Sequence, residues 1–243
     1  MKSFVVAEIG SNWEGNLKKA EKIIFECKKA GADAVKFQMW RAEDLYSKDI
    51  PEWKNIKKSE ISFDDARKLK KICDKNKIEF FSSAFYPQAV DFLESLGVKQ
   101  YKIASRTSAF RDLESLKTLK QKASTKKPVI VSMGFSNNMK KMQYIFSKNQ
   151  ITFCYCIPEY PLKFEKINWK KALKFDGFSD HTLGIIAPIL FAVLKKQKGT
   201  KRIYIEKHVK IKSSKGPDAP VSINTDELTE MIHQIRLIEK MKI

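Results

Sequence analysis

The chain has 243 residues, 43% hydrophobic and 31% charged, which is enough apolar content for a packed core and too much for a disordered chain. Forty-seven basic against 28 acidic residues give a formal charge of +19, which points to anionic partners without choosing among them. No apolar run reaches the roughly 18 residues of a membrane span, so no membrane partner is expected.

The other early exclusions are equally plain. The first residues are strand-like and meet Glu8 too soon for a signal peptide. Four cysteines (27, 73, 154, 156) make neither a disulfide framework nor a paired zinc-thiolate motif. A cytoplasmic protein with free thiols is expected. The bases are 41 Lys and six Arg, whereas nucleic-acid readers favour the Arg fork. The Lys doublets fall along helix-like segments, so a solvated Lys-rich surface is favoured over a nucleic-acid interface.

Short β-branched or aromatic runs alternate with amphipathic stretches along the whole chain. In order, the spacing predicts strand 4–9, helix 17–30, strand 34–38, helix 63–76, strand 79–83, helix 87–96, strand 100–103 and helix 112–122. It continues with strand 129–132, helix 137–148, strand 152–155, helix 167–174, strand 177–179, helix 185–196, strand 203–206 and helix 225–240. In the first helix, Leu17, Ala20, Ile23, Ile24 and Cys27 share one face. Asp112 and Thr225 are expected N-caps, and Gly31 and Gly97 expected helix stops.

Eight strand–helix units at about 30 residues each match a (β/α)8 TIM barrel. The rival, a doubly wound sheet, carries a Gly-rich loop after its first strand, and the segment from Gly10 to Gly15 lacks the G-x-G-x-x-G pattern. No linker or repeat divides residues 1–243, so one domain is expected.

Barrel chemistry sits at the C-terminal strand ends, and here those ends are polar. They carry Glu8; Lys36 and Gln38; Ser82 and Ser83; Lys102 and Ser105; Ser132; Tyr155 and Cys156; Ser179, Asp180 and His181; Glu206, Lys207 and His208. Period two puts Lys36 with Gln38 on one face, and Glu206 with His208. A lysine inside a strand needs an anion or a carboxylate beside it, and two such lysines with a ring of serines suit a phosphate and a carboxylate. His181 and His208 follow neighbouring strands, and with carboxylates nearby they are candidate ligands of a divalent metal. His233 reads as structural. Blander roles stay open: Ser82, Ser83 and Ser132 as helix caps, Glu8 with Lys36 as a buried ion pair, and both Cys154 and Cys156 as packing residues.

Seven ordered segments together resemble the sialic-acid synthase family. They are Ala7-Glu8-Ile9-Gly10-Ser11-Asn12, Gly31-Ala32-Asp33-Ala34-Val35-Lys36-Phe37-Gln38, Tyr101-Lys102-Ile103-Ala104-Ser105, Glu159-Tyr160-Pro161, Ser179-Asp180-His181-Thr182-Leu183-Gly184, Glu206-Lys207-His208 and Gly216-Pro217-Asp218. The resemblance spans about residues 4 to 240. It implies a TIM barrel and a metal-dependent condensation of phosphoenolpyruvate with an aldose, giving a nonulosonic acid for surface polysaccharide and releasing phosphate. It further implies Mn²⁺ or Mg²⁺ on His181 and His208. Lys36, Lys102, Ser83, Ser105, Ser132 and Ser179 would lie on phosphoenolpyruvate, Glu8 would be the acid/base or water-orienting group, and Gln38, Tyr160 and Asp218 would face the sugar. A homodimer is the assembly the resemblance suggests.

Departures from the family pattern fall mainly on the acceptor side, with one, at Pro158, where the family offers a donor to phosphoenolpyruvate. Asn12-Trp13 stands for the usual Asn-His, Ser105-Arg106-Thr107 for Ser-Gly and an acid, and Pro158 for a small polar residue. The C-terminal antifreeze-like lid of many relatives is expected to be absent. Together these imply an acceptor other than N-acetylmannosamine, with Arg106 as a replacement for the lid arginine or as a reader of an anionic acceptor. The alternatives are a Schiff-base lysine route, a catalytically inactive sugar- or phosphate-binding relative, and a polyanion-binding protein.

Overall fold

In the computed structural model, which describes residues 1–136 and 138–242, eight parallel strands close into a barrel in chain order. They are β1 (Lys2–Glu8), β2 (Ala34–Met39), β3 (Glu79–Ala84), β4 (Tyr101–Ile103), β5 (Val129–Ser132), β6 (Ile151–Tyr155), β7 (Gly177–Asp180) and β8 (Arg202–His208). Every expected strand is present within two residues of its predicted ends. The helices that cover the barrel are α1 (Leu17–Lys29), α4 (Phe63–Lys75), α5 (Pro87–Ser95), α7 (Leu113–Ser124), α8 (Met139–Ile145), α9 (Trp169–Ala172), α10 (Ile186–Gln197) and α11 (Thr225–Lys240).

Three short helices lie outside the eightfold pattern: α2 (Ala42–Leu45), α3 (Trp53–Lys58) and α6 (Ser105–Ser108). Each is too short to show a period of 3.6 in sequence. The pair α2 and α3 is held by its own apolar cluster of Trp40, Ala42 and Ile56. The helix expected over 137–148 is shorter at both ends, and Asn137 at its predicted start lies outside the described residues, as does Ile243 at the end of the expected domain. The predicted cap of the last helix shifts by one residue. Asn224, not Thr225, is the N-cap, because its side chain accepts from the Glu227 amide at 2.9 Å while Glu227 accepts from the Asn224 amide at 2.8 Å. A carboxylate three residues on completes the reciprocal box for Asn224 only. Asp112 caps α7 as expected, accepting from the Ser115 amide at 2.6 Å.

Strand period two sorts the side chains into two cores. Val5, Ala7, Val35, Phe37, Phe80, Ile103, Val131 and Ile205 pack outward against the helices. Val6, Ala34, Phe81, Ile130, Cys154 and Tyr204 fill the barrel interior. Above that apolar plug the inward positions turn polar. The register makes lateral neighbours of Glu8 and Lys36, Glu8 and His208, Gln38 and Ser83, Ser83 and Lys102, and Ser179 and Glu206. Hydrogen bonding along the sheet therefore assembles the polar cluster before any loop is considered. Among the described residues, no helix is long and apolar enough to cross a membrane.

Candidate active site

A cavity of 320 Å³ opens at the C-terminal end of the barrel, and all thirteen site residues expected from sequence line it. Its floor is a charge network. Lys102 Nζ donates to Glu206 Oε1 at 2.6 Å, Ser179 Oγ donates to the same oxygen at 2.8 Å, and the Tyr204 hydroxyl donates to Glu206 Oε2 at 2.5 Å. Lys36 pairs closely with Glu8, lies 3.8 Å from Glu206 Oε2, and reaches Ser83 Oγ at 3.3 Å. Gln38 Nε2 donates to Glu8 Oε1 at 2.8 Å. Both lysines and both glutamates are buried, and each buried charge is offset by its neighbours as such groups require.

The two carboxylates are not equivalent. Burial pushes Glu8 up to about 7 despite Lys36, and the Glu206 charge adds to the rise. Burial would raise Glu206 as well, but Lys102 and then Lys36 outweigh it and hold that carboxyl well below its ordinary range. Burial opposes the charge on Lys102, yet Glu206 keeps it above its ordinary value. Paired carboxylates driven apart in this way are the arrangement in which one group stays ionised and the other can exchange a proton near neutrality.

The serines divide by task. Ser132 Oγ is buried with no hydrogen-bond partner among the described residues, so it is an uncommitted donor facing the cavity. Ser105 Oγ donates to Cys156 Sγ at 3.3 Å and accepts from the Gly134 amide at 3.2 Å. A capping role for Ser83 or Ser132 is overturned. The following helices are preceded by Tyr86, without a side-chain cap, and by Asn138. Ser82 points away from the cavity and bonds to the Ser83 carbonyl.

The His181 and His208 ring centroids are 5.5 Å apart, with the Tyr160 ring tilted against His181 at 4.0 Å. His181 Nδ1 lies 2.8 Å from the Ile157 carbonyl, so that nitrogen carries the proton and Nε2 keeps its lone pair. Burial, then the neighbouring His208, pulls His181 down to about 4; burial also lowers His208. Both imidazoles are therefore neutral at pH 7, and His208 Nδ1 has no hydrogen-bond partner among the described residues. Among the described residues no third His, Cys, Asp or Glu converges with them. The expected nearby carboxylates belong instead to the lysine network and to Asp218, which accepts from the Ser11 amide at 2.7 Å and the Ser11 hydroxyl at 2.8 Å. Gly10, at φ +50°, is what lets that carboxylate in, since a Cβ there would run into it.

Glu206 and Cys156 also line the cavity. Glu206 was visible in sequence two positions before His208, and the same period that turns His208 inward turns Glu206 inward. Cys156 lines the cavity instead of only packing, although burial pushes its thiol up and away from nucleophilic use. Cys154 packs in the barrel interior as expected, and His233 lies exposed on α11. Trp13, standing where a histidine was anticipated, is core: its indole donates to the Ser59 carbonyl at 3.1 Å.

A second cavity of 350 Å³ adjoins the first, sharing Leu45, Phe85 and Arg106, and is lined further by Arg41, Asp44, Thr107, Asp112 and Glu114. Arg41 is committed there to Glu114 at 3.4 Å and to the face of Tyr86 at 3.9 Å. The guanidinium of Arg106, exposed at the junction, forms no ion pair or hydrogen bond among the described residues.

The NeuB family profile matches residues 23–242. An uncharacterized protein of Methanocaldococcus jannaschii is 36% identical over 98% of this chain and 72% of its own length. The N,N'-diacetyllegionaminic acid synthase of Legionella pneumophila is 33% identical over 97% of this chain and 72% of its own. The crystal structure of N-acetylneuraminic acid synthetase from Leptospira borgpetersenii, in complex with citrate, superposes with a TM-score of 0.86 at 27% identity, covering 99% of this chain and 85% of that one.

Proposed function

The chain belongs to the NeuB family and is an enzyme of that condensing class, and from that premise we propose that it joins phosphoenolpyruvate to an aldose to give a nonulosonic acid and free phosphate. The observation that carries this reading is the pair of buried lysines, Lys36 and Lys102, set beside the uncommitted Ser132 hydroxyl at the barrel mouth. In the reaction, C3 of phosphoenolpyruvate attacks the aldehyde carbon, water adds at C2, and the C2–O bond breaks so that phosphate leaves with the bridging oxygen. Lys36, Lys102, Ser83, Ser105, Ser132 and Ser179 would hold the phosphate and carboxylate, supplying fixed donors to a strongly anionic leaving group. Glu8, poised near neutrality beside Gln38, would exchange the proton of the attacking water. Glu206 stays ionised and fixes Lys102.

His181 and His208 fit a divalent cation. Both are neutral, His181 offers Nε2 with its tautomer set by the Ile157 carbonyl, and His208 has an unsatisfied ring nitrogen. The lining carries Glu8, Glu206 and Asp218 against Lys36, Lys102 and Arg106, so a substrate with a phosphate and a carboxylate leaves a deficit of positive charge. The two imidazoles would hold Mn²⁺ or Mg²⁺, whose chemistry there is Lewis-acid polarisation of the aldehyde oxygen. Four free, buried cysteines support a cytoplasmic setting.

On the acceptor side, Arg106 supports a sugar with an anionic or strongly polar group remote from the aldehyde, reaching toward the second cavity. The test is phosphate release from phosphoenolpyruvate with Mn²⁺ or Mg²⁺ and a panel of N-acetylated, di-N-acetylated and phosphorylated aldoses. One acceptor is expected to turn over, and Arg106→Ala to raise its KM about tenfold, the worth of a charge-assisted hydrogen bond, with the KM for phosphoenolpyruvate unchanged. Turnover of N-acetylmannosamine indifferent to Arg106→Ala would remove the acceptor assignment. Absence of phosphate release with every sugar, together with no binding of phosphoenolpyruvate, would remove the reaction.

A further inference from the structure

Lys122 is fully buried on the inward face of α7 with Ser115, Thr118 and Leu119, outside the cavity lining. Its ammonium donates to the carbonyls of Ala84 at 2.8 Å and Lys102 at 3.0 Å, the first ending β3 and the second within β4. Thr118, one turn earlier, donates to the Glu114 carbonyl of its own helix at 2.7 Å and lies 3.3 Å from the Phe85 carbonyl. Between β3 and β4 the register holds a single pair, Ser83 with Lys102, whereas β2 and β3 pair over six positions. Ladder pairing between β3 and β4 is thus confined to two residues that the anion site depends on, and buried carbonyls beside so short a ladder need donors.

Lys122 forms no ion pair among the described residues. The charged groups that face it are Lys36 and Lys102, both cations; burial first, and then these two, bring it down to about 7. An amine in either protonation state keeps at least two N–H donors, enough for both carbonyls. The donors, not the charge, are what the site requires.

We propose that Lys122 is a positioning residue, tying the ends of β3 and β4 together from behind the sheet and so holding Ser83 and Lys102 at the spacing the bound anion needs. For the identity of that anion, the inference rests on the reaction proposed above. Its test combines amide hydrogen exchange of the full chain with calorimetric titration of phosphoenolpyruvate and steady-state kinetics.

In Lys122→Met, amides at the ends of β3 and β4 are expected to exchange about tenfold faster than wild type, with the other strands unchanged, as local loss of two hydrogen bonds implies. Affinity for phosphoenolpyruvate should fall by about tenfold or more, while the acceptor KM stays within about twofold. Lys122→Gln, which retains N–H donors without charge, is expected to stay within about threefold of wild type in all three readouts, and it decides the matter if the Met variant does not fold. A folded Met variant with unchanged seam exchange and affinity would overturn the inference. So would acceleration spread evenly over the barrel, which marks a merely structural residue, or a Gln variant whose seam opens by tenfold. Failure of the wild type to bind phosphoenolpyruvate counts against the reaction alone, because exchange at the seam is read without ligand.

Discussion

Lys102→Met is expected to lower kcat/KM for phosphoenolpyruvate by about 1,000-fold, the scale of losing a preorganised charged donor in a water-excluded site. Lys102 is firmly committed in the cavity, 2.6 Å from a carboxylate that also takes Ser179 and Tyr204. Removing it takes one anchor from the phosphate or carboxylate and leaves Glu206 with only the more distant Lys36, 3.8 Å away, as a cation. The same change breaks a buried ion pair, so urea denaturation should show a loss of about 3 kcal/mol. A variant with wild-type kinetics would show that Lys102 serves the barrel and not the reaction. Loss of stability with full activity would point the same way.

The second large effect concerns the imidazoles. Replacing either His181 or His208 by alanine is expected to abolish measurable Mn²⁺ binding by calorimetry and to lower kcat by about 1,000-fold or more, since polarisation of an aldehyde by a bound ion is worth several kcal/mol. The two rings are neutral at pH 7 for the same reason, burial. The loss of ion affinity should therefore appear in the free protein as well as during turnover. Because the Tyr160 ring packs against His181, Tyr160→Phe serves as a control that keeps that ring contact. Retention of Mn²⁺ affinity in both alanine variants, or a turnover rate indifferent to chelator, would contradict the assignment of the two histidines.

Much of this site was readable because two simple periods are superposed. The spacing of apolar runs fixed eight strand–helix units, and period two within each strand fixed which side chains point inward; together they place Lys36, Gln38, Ser83, Lys102, Ser179 and His208 around one mouth. Glu206 obeys the same rule, since period two puts it on the face that carries His208. What sequence did not disclose has a common cause in loops and long-range packing. The second cavity arises where α2, α6 and the N-terminus of α7 meet, and two of those helices are only four residues long. Lys122 looks like any other of the chain's many lysines; only the short ladder between β3 and β4 turns it into a buried donor. Ser11, which grips Asp218, lies 207 positions away in sequence.

In the proposed reaction phosphoenolpyruvate loses phosphate by cleavage at carbon while its C3 forms the new bond. The most direct measurement uses phosphoenolpyruvate labelled with ¹⁸O in the C–O–P bridge, turned over with the active acceptor and analysed by mass spectrometry of both products. The released phosphate is expected to carry the label, and the sugar acid, with its carbonyl oxygen taken from water, is expected not to. Label retained in an organic product, with unlabelled phosphate, would mean cleavage at phosphorus and would contradict the proposed reaction.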